Sequence, residues 1–373
     1  MIGSAELRSF SRTAPFWVSV ALVPMVWTGA VFGGWTVLLP PLVTWWMFSV
    51  LDRITGLELE NADPDTAEEN IFWYRLVTLI WAPLQFLTIF GLIGYVTWTD
   101  HLALGEELIV FFGVGITSGT IGIVYAHELI HQKNRFERWL GDLLLSMVLY
   151  GHFRSEHLHV HHQHVGTPRD AVTARYNEGF HSFFFRVLPE CITSAFHAEK
   201  EMLARKGRPW WDRSNPFWRY AALQSAYVLL ALLIGGWLGL ALFLFQALVA
   251  IWQLELVNYV EHYGLVRKPL GNGRYEPVRP HHSWNGAQKA SNWLLINLQR
   301  HADHHAKPDR RFPLLQNHGS EESPQLPFGY PVMTLMALVP PLWRRVMNPR
   351  VRKWRAMFYP EITRWTRDGI PAD

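Results

Sequence analysis

The chain has 373 residues, a formal charge of +3 from 34 Lys and Arg against 31 Asp and Glu, and 49% hydrophobic residues with 19 Trp. Only 17% of its residues are charged, against about 25% in an ordinary soluble domain. The near-balanced charge, with no basic stripe interleaved with aromatics, argues against a nucleic-acid binder. The single cysteine, Cys191, excludes an intramolecular disulfide framework, a Cys-based zinc site and any fused iron–thiolate module, each of which needs several thiolates.

A transmembrane helix needs about 20 apolar residues, within about 17–25. Six stretches qualify: 14–32, 35–51, 76–98, 108–126, 220–237 and 238–257. Residues 5–13 are mixed polar and the first apolar run has no small-residue cleavage site, so the chain is expected to insert through its own first span. The spans form three hairpins turning at Gly33–Gly34, 99–107 and 235–239, and none of these turns contains Lys or Arg. The Lys and Arg lie instead in the amino-terminal arm (Arg8, Arg12), in 52–75, in 132–219 and after Asn258. The positive-inside rule therefore predicts that those segments and both termini are cytoplasmic.

The expected fold is all-α: one polytopic membrane domain over 1–373, with six transmembrane helices and a cytoplasmic helical cap built from 127–219 and 259–373. The acidic 52–75 connection (Glu58, Glu60, Asp63, Asp65, Glu68, Glu69) reads as a solvated surface loop. Residues 331–343 are apolar but too short and proline-rich to span, which predicts a buried or interfacial segment. The Arg344, Arg345, Arg350, Arg352, Lys353 and Arg355 that follow suit an anionic inner leaflet.

Ten of the 18 histidines fall into four short stretches. The first, HELIH, holds His127 and His131 four apart, on one helix face and able to reach one ion. The second, EHLHVHH, is expected to put His157 and His161 on one face with His162 beside them. The third is NYVEHYG with His262, and the fourth is QRHADHH with His301, His304 and His305. A lone histidine such as His101, His181, His197 or His318 reads as a surface or satisfied core residue, and His152, His159 and His164 fall outside the ligand spacing. All four stretches lie on the side that the charge rule makes cytoplasmic. One ion takes at most about six such ligands and a catalytic site keeps positions open. Nine imidazoles therefore imply two metals, although imidazole spacing alone does not choose among zinc, copper, nickel and iron. One carboxylate per stretch (Glu128, Glu156, Glu261, Asp303) sits beside a ligand candidate, and some of these are expected to accept a ligand's second ring N–H and offset the metal charge.

HELIHQKN (127–134), EHLHVHH followed by Gly166-Thr167-Pro168-Arg169-Asp170, NYVEHYG (258–264), HHSWN (281–285), LQRHADHHA (298–306) and PQLPFGYP (324–331) together resemble the bacterial membrane-bound alkane 1-monooxygenase family, a branch of the membrane fatty acid desaturase/hydroxylase superfamily. The resemblance implies two irons held by His127, His131, His157, His161, His162, His262, His301, His304 and His305. It also implies dioxygen as co-substrate, terminal hydroxylation of a medium- or long-chain n-alkane, and residence in the bacterial cytoplasmic (inner) membrane. Electrons would come from a rubredoxin reduced by an NAD(P)H-dependent flavin reductase. With one cysteine here, that rubredoxin must be a separate chain, and Lys133, Arg135 and Arg138 are candidates to meet it. His281, His282, Trp284 and Asn285 are expected near the site.

An alkane has no polar handle, so recognition must rest on burial, at about 0.8 kcal/mol per methylene. Trp45, Trp46, Phe48, Trp81 and Phe86 are candidates for a channel between spans. The alternatives are an alkyl-aromatic (xylene-type) hydroxylase, a fatty-acyl desaturase, a membrane zinc protease using HELIH with Glu128 as base, and a metal transporter. A transporter calls for polar ligands near the bilayer midplane.

Overall fold

The computed structural model describes residues 10–366 and 370–371; Arg8 of the amino-terminal arm lies outside them. The described residues are mostly helical, apart from a two-stranded antiparallel ribbon (β1 Pro269–Gly271, β2 Arg274–Tyr275) and three isolated bridges.

Among the described residues, five helices are long and apolar enough to cross a membrane: α1 Phe10–Phe32, α2 Gly34–Thr55, α3 Glu68–Thr99, α4 Leu104–Ile130 and, later in the chain, Pro216–His262. Each overruns the stretch expected from hydropathy, because backbone hydrogen bonding continues past the first polar side chains. In α4 this overrun puts His127 inside the helix. α2 is irregular: after Pro40 and Pro41, which lack amide donors, Leu42–Met47 opens into a π-turn.

Between α4 and the last long helix lie α5 Arg135–Met147, α6 (the successive stretches Phe153–Glu156, His157–His161 and His162–His164) and α7 Phe180–Arg205. The Pro216–His262 helix, α8, is two arms and not one rod. Gly236 has φ 60° and ψ −151°, a conformation open to glycine but not to side-chain-bearing residues. Both arms then reach the same loop: Gly151 N donates to Gln224 Oε1 at 3.2 Å and Tyr150 OH to Glu255 Oε1 at 2.8 Å. The chain thus folds back at Gly236. A Cβ on Gly115 would lie 2.5 Å from Val249 Cβ and one on Gly119 2.7 Å from Ala250 O. These small residues let α4 approach the second arm of α8 closely, which brings the end bearing His127 beside the end bearing His262.

Below these helices pack α9 Lys289–Leu294, α10 His301–Ala306, α11 Tyr330–Ala337 and α12 Pro340–Phe358. Most of 331–337 is buried, as is Trp343, with Met333, Ala337 and Trp343 fully enclosed, whereas Val339, Pro341 and Leu342 are exposed. Arg355, expected at the leaflet, is instead buried, and its Nη2 donates to Gly264 O at 2.7 Å.

The acidic connection also departs from expectation. Its carboxylates from Glu60 onward are exposed, while Glu58 is half-buried and Asp52 buried, and its backbone docks on 286–317. Glu58 N donates to Ala287 O at 2.8 Å, Lys289 N to Gly56 O at 3.0 Å, and Arg300 Nη2 to Glu60 O at 3.0 Å. Asn317 N donates to Asn61 Oδ1 at 2.6 Å. A run of charge reports where side chains point and is silent about where backbone groups find partners.

Candidate metal centre

The last two turns of α4 bring His127 and His131 onto one face, as their four-residue spacing predicts. α6 departs from its prediction. His157–His161 is a π-turn, whose i→i+5 bonding aligns residues five apart. His157 Nε2 therefore lies 3.0 Å from His162 Nε2, while His161 turns to the opposite side.

The nine histidines converge as two groups, each with its nitrogens within 4.8 Å of one another: His127, His131, His157, His162 and His304 in the first, His161, His262, His301 and His305 in the second. α10 serves both, since His301 and His305 share a face and His304 projects from another. Within the first group, His131 Nε2 is 3.0 Å from His157 Nε2, and His304 Nε2 is 3.2 Å from His162 Nε2. In the second, His301 Nε2 lies 3.0 Å from both His262 Nε2 and His305 Nε2, which are 3.3 Å apart.

That triangle tests whether a cation fits. An imidazole nitrogen has one in-plane site, holding either a proton or a lone pair, so three mutually close nitrogens cannot all be joined by hydrogen bonds. A metal about 2.1 Å from each nitrogen, with ligands at right angles, separates them by about 3.0 Å. His127 Nε2 and His161 Nε2 are likewise buried without a hydrogen-bond partner. The ligand form is also the favoured one. Burial pushes His131, His157, His162, His301, His304 and His305 well below the ordinary 6.5, reinforced by their neighbours, and leaves neutral rings with lone pairs.

The second ring nitrogens of His161 and His262 find partners that differ from those expected, while those of His162, His301 and His305 are buried without a hydrogen-bond partner. His161 Nδ1 lies 3.0 Å from Asp170 Oδ2, with both side chains buried. Burial would raise the Asp170 carboxyl, but attraction to His161 and bonds from His161 and Thr173 hold it below the usual range. His262 Nδ1 meets Asn258 O at 2.9 Å. Of the four expected carboxylates, Glu261 alone faces a ring of these groups, 3.4 Å from His301 Nδ1, and it also accepts from Tyr330 OH at 2.8 Å. Glu128 accepts from Gln132 Nε2 at 3.0 Å. Asp303 is taken by Arg310 at 2.6 Å and Gln316 N at 3.0 Å. Both oxygens of Glu156 are buried without a hydrogen-bond partner, and burial raises its carboxyl well above the usual range. Adjacency in sequence misled here, because a residue next to a helical ligand points away from it. Asp170 was legible only as part of the run after the second stretch.

A third group, Glu276, His281 and His282, is a hydrogen-bond node. His282 Nδ1 accepts from Arg279 N at 2.9 Å, so its Nε2 carries the proton, toward Tyr359 OH at 2.9 Å and Glu276 Oε1 at 3.2 Å. Burial opposes ionisation of Glu276, yet bonds from His282, Lys268 N and Tyr359 hold its pKa down to about 2. His281 stacks on Phe358. These two histidines therefore tie the end of α12 to the 276–282 loop, whereas Trp284 and Asn285 bond to helix ends that carry site histidines.

Of the channel candidates, Trp45 is buried against Phe112 and Trp252. Trp81 is enclosed, donates to Gln85 Oε1 at 3.0 Å and packs edge-on to Tyr125, two residues before His127. Phe48 is core, and Phe86 packs at a tilt against Phe90 and Tyr227. Trp46 is 64% exposed on the outer surface, which removes it from any internal channel. A cleft of about 410 Å³ reaches His131 and is lined by Lys133, Arg138, Arg154, Arg219 and Asp309, among others. Lys133 pairs with Asp309 at 3.3 Å, Arg138 donates to Gln132 O at 3.0 Å, and Arg135 is exposed.

Apolar helices carrying buried imidazoles are what a membrane desaturase-type enzyme requires, and residues 107–336 match the family model described as fatty acid desaturase. Curated relatives narrow the class. An alkane 1-monooxygenase 2 of Pseudomonas aeruginosa is 40% identical, covering 84% of this chain and 84% of its own length. An alkane 1-monooxygenase 2 of Alcanivorax borkumensis is 37% identical over 87% of this chain and 86% of its own. The hydroxylase component of a Pseudomonas putida xylene/toluene monooxygenase is 30% identical over 76% and 75%. The chain belongs to the alkane 1-monooxygenase family and is an oxidoreductase of the monooxygenase type.

Proposed function

We propose that this protein hydroxylates the terminal carbon of medium- or long-chain n-alkanes, with two irons held by the nine histidines. The carrying observation is the convergence of nine imidazoles into two groups with metal-compatible spacing. Two ferrous ions there would supply dioxygen reduction and transfer of one oxygen atom to a C–H bond, the other atom leaving as water. The chain's own part is to hold and orient. Asp170 fixes the His161 ring, Asn258 O fixes His262, and Val124, Ile296, Leu298 and Phe312 line an apolar wall beside His127 and His304. That wall excludes water and suits a substrate without polar groups.

With α8 folded into two arms, the chain has six spans. Positive-inside charge puts the histidine-bearing ends on the cytoplasmic face of the inner membrane. A separate rubredoxin, reduced by an NAD(P)H-dependent flavin reductase, would approach the cleft over His131, where Arg135 and its neighbours present positive charge. Product analysis with octane, hexadecane, a fatty acid and xylene, using reduced rubredoxin and alongside metal quantification, tests the proposal. Terminal alkanols with two irons support it; desaturated acyl product, or one zinc with peptide cleavage, refutes it. Alkyl-aromatic hydroxylation is the second reading, favoured by the xylene/toluene relative, and oxidation of xylene without octane would establish it.

A further inference from the structure

We infer that the adjacent residues Trp284 and Asn285 form a positioning clamp for the second imidazole group, joining the two helix ends that carry three of its four histidines. The metal role of the clamp rests on the two-iron reading above.

The last carbonyls of a helix have no partner within it. At the end of α8, on either side of His262, Glu261 O accepts from Trp284 N at 2.9 Å and Tyr263 O from the indole Nε1 of Trp284 at 2.8 Å. The start of α10 has the complementary need. Arg300, at its cap position, makes no side-chain cap bond, and Asn285 Oδ1 accepts from Ala302 N at 2.8 Å. One peptide link thus sets the separation of the helix end bearing His262 from the helix bearing His301 and His305, since successive Cα atoms are about 3.8 Å apart.

The clamp is itself anchored. Asn285 N donates to Pro324 O at 2.9 Å, Leu326 N to Asn285 O at 2.7 Å, and Asn285 Nδ2 to Ser283 O and Ser323 Oγ. Trp284 is fully buried and Asn285 nearly so. Phenylalanine would fill much of the indole space but cannot donate to Tyr263 O; aspartate at 285 keeps an acceptor for Ala302 N, and alanine does not. The first group shares only His304 with α10, so loss of the indole donor should act on the second group.

The test has two arms. Hydrogen exchange on metal-free protein should show faster amide exchange in 258–264 for Trp284→Phe and in 301–306 for Asn285→Ala, with 124–131 unchanged and Asn285→Asp protected like wild type. Chelator competition should then show wild type holding two irons and Trp284→Phe releasing one of them at 10–100-fold lower chelator concentration, the usual effect of losing an outer partner of a ligand. Trp343→Phe, removing an equally buried indole that packs edge-on to Tyr263, should leave both irons in place. Unchanged exchange in both segments, joint loss of both irons from Trp284→Phe, or a Trp343→Phe variant that behaves like Trp284→Phe overturns the clamp. If wild type holds fewer than two irons, the metal reading fails, and the exchange arm still decides the clamp. Should Trp284→Phe not fold, the Asn285→Ala and Asn285→Asp pair carries the comparison.

Discussion

Replacing Asp170 by asparagine is the sharpest test of how the second group is held. The two carboxylate oxygens accept from His161 Nδ1 at 3.0 Å, Thr173 Oγ1 at 2.6 Å and Val172 N at 3.1 Å. A carboxamide has one oxygen. Asp170→Asn must therefore turn an N–H toward either His161 Nδ1–H or Val172 N–H, and it also removes the charge that polarises the ring. A hydrogen bond to a charged group contributes about 1.5–3 kcal/mol, and 1.4 kcal/mol is tenfold in affinity. The variant should hold iron at the second group roughly 10–100-fold more weakly. Chelator competition with iron quantification reads the affinity, and octane hydroxylation with excess iron shows whether turnover recovers. Two irons at wild-type affinity with unchanged turnover would show that Asp170 does not orient a ligand.

Three further outcomes are expected. His162→Ala and His305→Ala, which remove one nitrogen from the first and the second group respectively, should each lower iron content and abolish hydroxylation; either variant retaining two irons and full activity removes that residue from the ligand set. Trp45→Ser should extend the longest n-alkane accepted while Trp46→Ser leaves the range alone, since Trp45 is buried and Trp46 is on the outer surface; product chain-length profiles decide, and equal profiles count against a channel at Trp45. Reversing Lys133, Arg135 and Arg138 to glutamate should raise the KM for rubredoxin several-fold, with the difference from wild type shrinking as salt screens the charges; salt-independent, unchanged kinetics would place the donor elsewhere.

One pH effect also follows. Asp303, then Glu322, raise His318 above 6.5 against the opposing effect of its burial. A raised folded pKa stabilises fully below the unfolded value and less as pH climbs through the folded one. His318→Gln should therefore lower the melting temperature more at pH 6 than at pH 9, and an equal loss at both refutes the pairing.

Helical class and apolar runs are properties of consecutive residues, and they were legible without coordinates. So was the ligand candidacy of the nine histidines, because i, i+4 spacing and clustering are local signals. The four carboxylates show where that legibility ended. Glu128 and Asp303 sit beside ligand candidates in the chain yet bond elsewhere, and Glu156 is buried without a hydrogen-bond partner, while Asp170, nine residues beyond His161, faces its ring. The same limit applied to the acidic connection, whose backbone pairs with residues more than 220 positions away.

The amino-acid order by itself determined that this is an apolar, helical, histidine-rich chain, because lipid burial and helix periodicity act between near neighbours. Only the tertiary structure decided that His157 pairs with His162 while His161 crosses to the other group, that His281 and His282 serve a hydrogen-bond node, and that Trp284 and Asn285 join two helix ends. Those outcomes depend on a π-turn and on contacts between distant segments, where the packing of one helix against another, and not the identity of the adjacent residue, selects each side chain's partner.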